Sequence, residues 1–126
     1  MAVDGVTEWP FAVLTAPHRL EGRDEIREYV TRSRVASLMR FDDLRLAAIH
    51  ETLDPEVIVV ETTTCGTVAA TGRRFELPAI AGLRIRGGEI VSYRDYVNPF
   101  TGAQATGRLP QLFAALTREQ PIEGGK

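Results

Sequence analysis

The middle of the chain carries four consecutive segments that are rich in β-branched residues, and only short turns separate them. The segments are LRLAAIHETL, beginning at Leu44, then VIVVETTTCGTVAA, FELPAIAGLRI and EIVSYRDYV. The turns DPE, TGRRFE and RGGE contain the proline, glycine and aspartate that favour β-turns. Parallel strands need crossover connections of about a dozen residues or more. The sequence therefore predicts an antiparallel meander.

A helix is predicted before the meander. In GRDEIREYVTRSRV, the spacing of Ile26, Tyr29 and Val30 places three apolar side chains on one helical face. Asp24 is of a residue type that commonly caps helix N-termini. We therefore expect a helix from Asp24, as its N-cap, to about Val35.

Two further elements are predicted near the ends of the chain. VTEWPF, from Val6 to Phe11, is rich in β-branched and aromatic residues, but Pro10 restricts it to an edge or terminal strand. LPQLFAALTREQ has leucines and a phenylalanine at helical spacing, which predicts a short helix packed on the sheet and a flexible tail from about residue 118. Together the segments predict one α+β domain over residues 1–126.

Composition excludes several classes of function. The chain has 15 Lys and Arg against 17 Asp and Glu, scattered rather than gathered into the basic stripe that nucleic acid requires. A single cysteine allows no intrachain disulfide and no His/Cys metal cluster, and no glycine-rich phosphate loop is present. No apolar run approaches the roughly 18 residues of a membrane span, and the start lacks signal-peptide features. We expect a cytoplasmic protein that binds no cofactor, metal, nucleic acid or membrane.

The last predicted strand, EIVSYRDYV, places one carboxylate on an apolar face. Val91, Tyr93, Asp95 and Val97 alternate onto one face of the strand, and Arg94 points the other way. Asp95 is therefore predicted to face the interior beside Tyr93, where desolvation raises a carboxyl pKa and suits general acid or base catalysis. The alternative is a structural Asp95 that accepts hydrogen bonds from a hydroxyl or arginine on a neighbouring strand.

Other ionisable side chains are weaker candidates for chemistry. His50 lies on the strand LAAIHET and either carries a second proton or is a hydrogen-bonded residue of the core or rim. Glu51 and Glu61 flank a tight turn on adjacent strands, where they face solvent, pair with arginines, or partner Asp95. Cys65 has no base near it in sequence, so no nucleophile is expected there.

The predicted pocket is apolar and lined in part by aromatic residues. Trp9 and Phe11 share a face of the VTEWPF strand, where they line a pocket or fill the core. Tyr93 and Thr62 are the other residues that we expect to line the substrate pocket.

Two ordered motifs resemble the nuclear transport factor 2-like superfamily in its SnoaL-like branch. HETLDPEVIVVE (His50 to Glu61) and RDYVNPF (Arg94 to Phe100) are similar to phenazine biosynthesis A/B proteins, which carry E-T-x-D-P, then V-E, and later R-[DE]-[FY]-x-N-P-F. The resemblance covers Val3 to about Leu116. It implies a cone-shaped, strongly curved antiparallel sheet with helices packed over its concave face, around a deep apolar pocket into which Asp95 projects as general acid or base. It also implies a homodimer formed through sheet faces.

This sequence departs from those relatives in three places. Phenazine-branch relatives often have Glu at the position of Asp95 and are associated with condensation of aminoketones, and Asp is shorter by one methylene. Limonene epoxide hydrolase-like members need Arg-x-Asp on the middle strand, where ETTT (Glu61 to Thr64) has neither residue. Relatives usually carry helices before the strand that matches VTEWPF, and we expect these N-terminal helices to be missing here.

Three functional hypotheses follow. The first is a small cofactor-independent enzyme that isomerises, cyclises or dehydrates an apolar carbonyl-bearing metabolite, of the kind found in secondary metabolism, with Asp95 moving the proton and His50 assisting. The second is a non-catalytic small-molecule-binding or scaffolding domain in which Asp95 is hydrogen-bonded and ionised. The third is an epoxide-opening hydrolase or cyclase, which requires Glu51 or Glu61 to share the pocket of Asp95.

Overall fold

A six-stranded sheet organises the chain in the computed structural model, which describes residues 1–14 and 16–119. In chain order the elements are β1 (Val6–Glu8), β2 (Arg19–Glu21), α1 (Arg23–Ala36), β3 (Met39–Glu51), β4 (Val57–Val68), β5 (Arg74–Arg86), β6 (Glu89–Val97), α2 (Pro99–Ala105) and α3 (Leu109–Glu119). The strand order is β2-β1-β6-β5-β4-β3, so the sheet stays open with β2 and β3 at its edges. The predicted α+β class and curved sheet are confirmed.

The four long strands form the predicted antiparallel meander. Each of β3, β4 and β5 pairs antiparallel with the strand that follows it. The sheet as a whole is mixed, because β1 runs parallel to β6 and antiparallel to β2. The parallel pair is possible because α1 and three long strands separate β1 from β6 along the chain.

The structure corrects the expectation for VTEWPF in two respects. The strand ends at Glu8, so Pro10 and Phe11 lie beyond it. It is also not an edge strand, because β2 pairs with its outer side. The sequence predicts no regular element where β2 lies, because a strand of three residues is too short to show a period-two pattern.

Helix α1 confirms the helix predicted from Asp24, but the N-cap differs. The N-cap is Gly22, with φ 92° and no side-chain capping bond, whereas Asp24 lies in the first turn and complements the helix dipole. Glycine adopts this left-handed conformation at little cost. Ile26 is buried, and the ring of Tyr29 lies 5.3 Å from that of Trp9 between centroids. Helix α1 therefore packs beside β1.

Two helices follow the last strand. The sequence does not predict α2 separately, although Asn98 and Pro99 are residues typical of a helix start. The Asn98 side chain accepts a hydrogen bond from the backbone N–H of Phe100 at 2.9 Å. Helix α3 confirms the predicted C-terminal helix but not its predicted packing on the sheet. It packs on α2 instead, through Phe113, whose ring centroid lies 5.7 Å from that of Phe100. It continues through Glu119, and the rest of the predicted tail lies outside the described residues.

A tightly packed corner of the sheet surrounds Cys65. This residue is 0% exposed and lies directly between Asp43 of β3 and Glu76 of β5. Arg45 reaches both carboxylates at 3.4 Å and so bridges the strands on either side of the thiol. A buried thiol of this kind has a structural role rather than the accessibility of a nucleophile.

An ion-pair network at the β3–β4 turn connects it to the end of β5. Glu56 contacts Arg84 at 2.9 Å and Arg86 at 2.9 Å, and Arg84 also reaches Asp54 at 3.0 Å. The hydrogen bonds that Arg86 and Arg84 donate lower the pKa of Glu56 from 4.5 to about 2.

We expect Glu56→Gln to lower the melting temperature at neutral pH and to have less effect as the pH falls from about 4.5 towards 2. Because folding lowers this pKa, the stabilisation is present above the unfolded-state pKa and is lost as the pH falls through the folded-state pKa. The side chains remain partly exposed, so solvent screens the ion pairs and the effect should be modest. Thermal unfolding across this pH range, with exposed Glu28→Gln as the control, checks the prediction. A loss of stability that is the same at every pH would contradict it.

Candidate active site on the Asp95 face

Strand register sorts the sheet residues onto two faces, which we name the Asp95 face and the Arg94 face. On β5, Ala81 pairs with Asp95 and Gly82 pairs with Arg94. Most of the buried sheet side chains belong to the Asp95 face: Thr7, Val68, Phe75, Ala81 and Leu83. On the Arg94 face, Ile80 is 47% exposed. Asp95 therefore lies on the face that carries most of the buried sheet side chains, although Leu44, Leu46 and Ile49 of β3 are exposed on the same face.

Asp95 is half-buried and shares its face with Tyr93 and Trp9. Burial raises the pKa of Asp95 above its ordinary value, and the hydrogen bond from the Trp9 indole N–H partly opposes that rise. Burial, and then the charge of Asp95, raise the pKa of the Tyr93 phenol. The pair therefore combines a carboxylate of increased basicity with a phenol that stays protonated and can donate a hydrogen bond.

Trp9 lies between Asp95 and a cavity of about 310 Å³. Its side chain interacts with Asp95 and also forms part of the cavity wall, together with Phe11, Tyr29 and Val97. Asp95 is not one of the wall residues. A molecule in this cavity therefore contacts the indole before it reaches the carboxylate.

A second cavity of about 230 Å³ lies farther along the same face, towards α2. Its wall includes Phe41, Leu77, Ala79 and Val97, with Thr64 as a polar side chain. Register places Leu77, Ala79 and Val97 on the Asp95 face. Val97 thus contributes to the walls of both cavities.

The structure places His50 and Glu61 together, but on the Arg94 face. His50 Nε2 lies 2.6 Å from Glu61 Oε2, so the ring nitrogen donates to the carboxylate. Register links His50 through Val59 and Gly82 to Arg94, across the four neighbouring strands β3 to β6. The sheet therefore separates this pair from Asp95, and the expectation that His50 assists Asp95 is wrong.

Neither glutamate can form a carboxylate pair with Asp95. Glu61 lies on the opposite face of the sheet, as its pairing with Ile80 shows. Glu51 lies on the Asp95 face, but β3 is three strands away from β6. Three strand spacings of about 4.8 Å put the two backbones about 14 Å apart. The epoxide-opening hypothesis requires a shared pocket and is therefore not supported.

The predicted pocket residues Phe11 and Thr62 both line a larger cavity of about 620 Å³, to which the Arg94 face contributes Ile80 and Tyr96. Register places Thr62, through its pairing with Ala79, on the Asp95 face. Phe11 is 56% exposed and meets the ring of Tyr96 edge-on at 5.3 Å. It does not share a strand face with Trp9, because β1 ends before both residues, although both line the 310 Å³ cavity.

The homodimer through sheet faces stays a prediction, and exposed Ile80 marks where the Arg94 face would make such a contact.

Sequence reasoning did not assign a site role to Tyr29 or Val97. The sequence pattern could have identified both as inward-facing residues, because Tyr29 lies on the apolar face of the predicted helix and Val97 alternates onto the face of Asp95. Within residues 1–14 and 16–119, no group of three His, Cys, Asp or Glu side chains is placed to hold a metal ion. None of the described helices combines the length and apolar character needed to cross a membrane, and the cytoplasmic location stays a prediction.

The fold and part of the sequence are shared with known proteins. The SnoaL-like domain family matches residues 1–93. An uncharacterised PhzA/B-like protein of Pseudomonas aeruginosa is 32% identical over 104 residues, which cover 82% of this chain and 72% of that protein. The crystal structure of a proposed isomerase from Bacillus subtilis superposes with a TM-score of 0.75 at 27% identity, over 85% of this chain and 76% of that chain. A proposed SnoaL-like polyketide cyclase from Jannaschia sp. CCS1 has a TM-score of 0.63 at 12% identity, over 87% and 74% of the two chains, and shows the fold alone.

Proposed function

The chain belongs to the SnoaL-like domain family, and we propose that it is a small cofactor-independent enzyme that moves a proton on an apolar, carbonyl-bearing metabolite. The reaction class is isomerisation, cyclisation or dehydration. One observation carries the proposal: half-buried Asp95, with its raised pKa, shares an apolar face with the Tyr93 phenol and with the wall of an apolar cavity. Perturbed carboxyl groups next to cavities are typical of acid–base sites.

In the proposed mechanism Asp95 is the general base. Its carboxylate accepts a proton from the carbon next to the substrate carbonyl, and the electron pair moves onto the carbonyl oxygen to form an enolate. The Tyr93 hydroxyl donates a hydrogen bond to that oxygen. The protonated Asp95 then returns the proton to another carbon or to a leaving hydroxyl. Trp9 orients the carboxylate through its indole N–H.

A non-catalytic binding domain is the second candidate. The 310 Å³ cavity, whose wall does not include Asp95, favours it, because a ligand can occupy that space without touching a carboxylate. In such a domain Asp95 is an ionised structural group, and folding would hold its pKa at or below the ordinary value. The rise in the pKa of Asp95 favours the enzyme instead.

Hydrogen–deuterium exchange at carbon tests the proposal without the natural substrate. The protein is incubated in D2O, with no added cofactor, with a panel of neutral cyclic and aromatic ketones, and deuterium at the α-carbon is followed by NMR. We expect exchange faster than in buffer for ketones that bind. Trp9 is the only tryptophan of the chain, so its fluorescence reports binding independently. Ketones that bind without any accelerated exchange would overturn the proposal and favour the binding domain.

A further inference from the structure

Two cavities on the Asp95 face adjoin at Val97. The first, of about 310 Å³, lies against Trp9 and Tyr29, and the second, of about 230 Å³, lies against Phe41 and Leu77. Val97 belongs to both walls and follows Asp95 by two residues on the same face of β6. The residue at the junction is therefore the next one after Asp95 on the same face of the strand.

The linings of both cavities select a neutral ligand. Among residues 1–14 and 16–119, no Asp, Glu, Lys, Arg or His side chain lines either cavity. A charged ligand would lose its hydration there without gaining a partner. Among the described residues, the only polar side-chain groups of the first lining are the Tyr29 hydroxyl and the Trp9 indole N–H, whereas the second presents the polar side chains of Thr64, Asn98 and Thr101. The first cavity thus suits a hydrocarbon ring, and the second suits a group that carries an oxygen.

The sizes of the cavities favour one ligand that occupies both. Pockets for small molecules commonly enclose about 300–1,000 Å³. The first cavity lies at the lower end of that range and the second below it. Ala79, which pairs with Val97 across β5 and β6, adds little bulk at the junction. Val97 is therefore the sheet residue that lines both cavities, and its side chain sets the width of the passage between them.

Building on the proposed function, we infer that the substrates are neutral, two-lobed ketones and that Val97 is a specificity-determining residue. One apolar ring lies against the side of the Trp9–Tyr29 pair that faces the first cavity, and the second lobe lies over Ala79 near Thr64. The carbonyl is placed at the junction by Val97, next to Asp95. Fused-ring ketones, which have no narrow linker, fit poorly across Val97.

Quenching of Trp9 fluorescence measures binding separately from catalysis. We expect phenylcyclohexanone, a two-lobed ketone, to bind at least about tenfold more tightly than cyclohexanone, because a second apolar ring is buried. Val97→Phe fills the junction and should lower the affinity for phenylcyclohexanone about tenfold. The affinity for cyclohexanone should change by less than about threefold. Val97→Ala, a milder change to packing, should instead strengthen binding of the fused-ring ketone tetralone. Val59→Phe, on the Arg94 face, is the matched control and should leave all three affinities unchanged.

Each outcome separates the ligand class from the proposed function. The inference would be overturned if the one-ring and two-lobed ketones bound with equal affinity. It would also be overturned if Val97→Phe lowered both affinities in parallel and Val97→Ala did not raise the affinity for tetralone. The expected binding pattern without α-proton exchange would sustain the ligand class and overturn the proposed enzyme. Exchange of ketones without any preference for two lobes would sustain the enzyme and overturn the ligand class.

Discussion

Replacement of Asp95 by asparagine is expected to lower the rate of α-proton exchange by about 10²–10⁴-fold, the range that a positioned acid–base group contributes. Asparagine has nearly the same shape, and its side-chain oxygen can still accept the hydrogen bond from Trp9. It cannot accept the proton that leaves the substrate. The rates are compared in D2O with the ketone that the wild-type protein exchanges fastest, and Trp9 fluorescence checks that the variant still binds it.

Stability measurements separate lost chemistry from lost folding in this variant. Folding raises the pKa of Asp95, so the protonated carboxyl group stabilises the folded state at low pH. This contribution to stability is lost as the pH rises through the folded-state pKa. At neutral pH the ionised carboxylate therefore opposes folding, and Asp95→Asn should unfold at the same temperature as the wild type or higher. Asp95→Glu keeps a carboxylate and should keep part of the activity. Exposed Asp4→Asn is the control for a lost charge. Exchange within about threefold of wild type in Asp95→Asn would remove Asp95 from the mechanism.

Replacement of Gly66 by alanine is expected to destabilise the fold by about 3 kcal/mol, at the upper end of the cost of overpacking a core. A Cβ at Gly66 would collide with the backbone carbonyl oxygen of Arg40 and approach Cζ of Phe75 to 2.8 Å. A backbone atom cannot rotate away as a side chain can, so β3 must shift relative to β4. For a chain of this length the melting temperature should fall by roughly 10 °C, as thermal unfolding followed by circular dichroism would show.

Gly82→Ala is the matched control on the neighbouring strand. Both glycines lie within long strands and have no positive φ, but a Cβ at Gly82 meets no atom within 4 Å. The added methyl reduces the conformational freedom of the unfolded chain. We therefore expect the free energy of unfolding to rise by no more than about 1 kcal/mol. If both variants lost stability equally, close packing at Gly66 would not be the cause.

The positions of Asp95 and His50 show which parts of the site geometry the sequence alone predicts. Period-two alternation within β6 is uninterrupted, so the face of Asp95 follows directly from the residue pattern. The same alternation from Leu44 would put His50 on the Asp95 face. A register shift between Leu46 and Ala48 reverses the faces beyond it, so His50 points to the Arg94 face instead. No residue type in LRLAAIHETL marks that irregularity.

The surroundings of Asp95 depend on contacts between distant parts of the chain. Parallel pairing of Thr7 with Tyr93 brings the N-terminal segment beside β6 and places Trp9 next to Asp95. Local sequence patterns predict strands and turns, but not which strand joins the meander across so long a separation. The meander, α1 and α3 were predictable because their patterns are local, whereas the Trp9–Asp95 contact required the topology.

A titration of the Asp95 carboxyl carbon by ¹³C NMR tests the central claim most directly, because it needs no substrate. Comparison of the wild type with Asp95→Asn identifies the resonance. Half-burial on the Asp95 face predicts a midpoint clearly above the ordinary aspartate pKa of 3.8, even with Trp9 donating to the carboxylate. A midpoint at or below 3.8 would show an ionised structural carboxylate and contradict its role as the proton-transferring group.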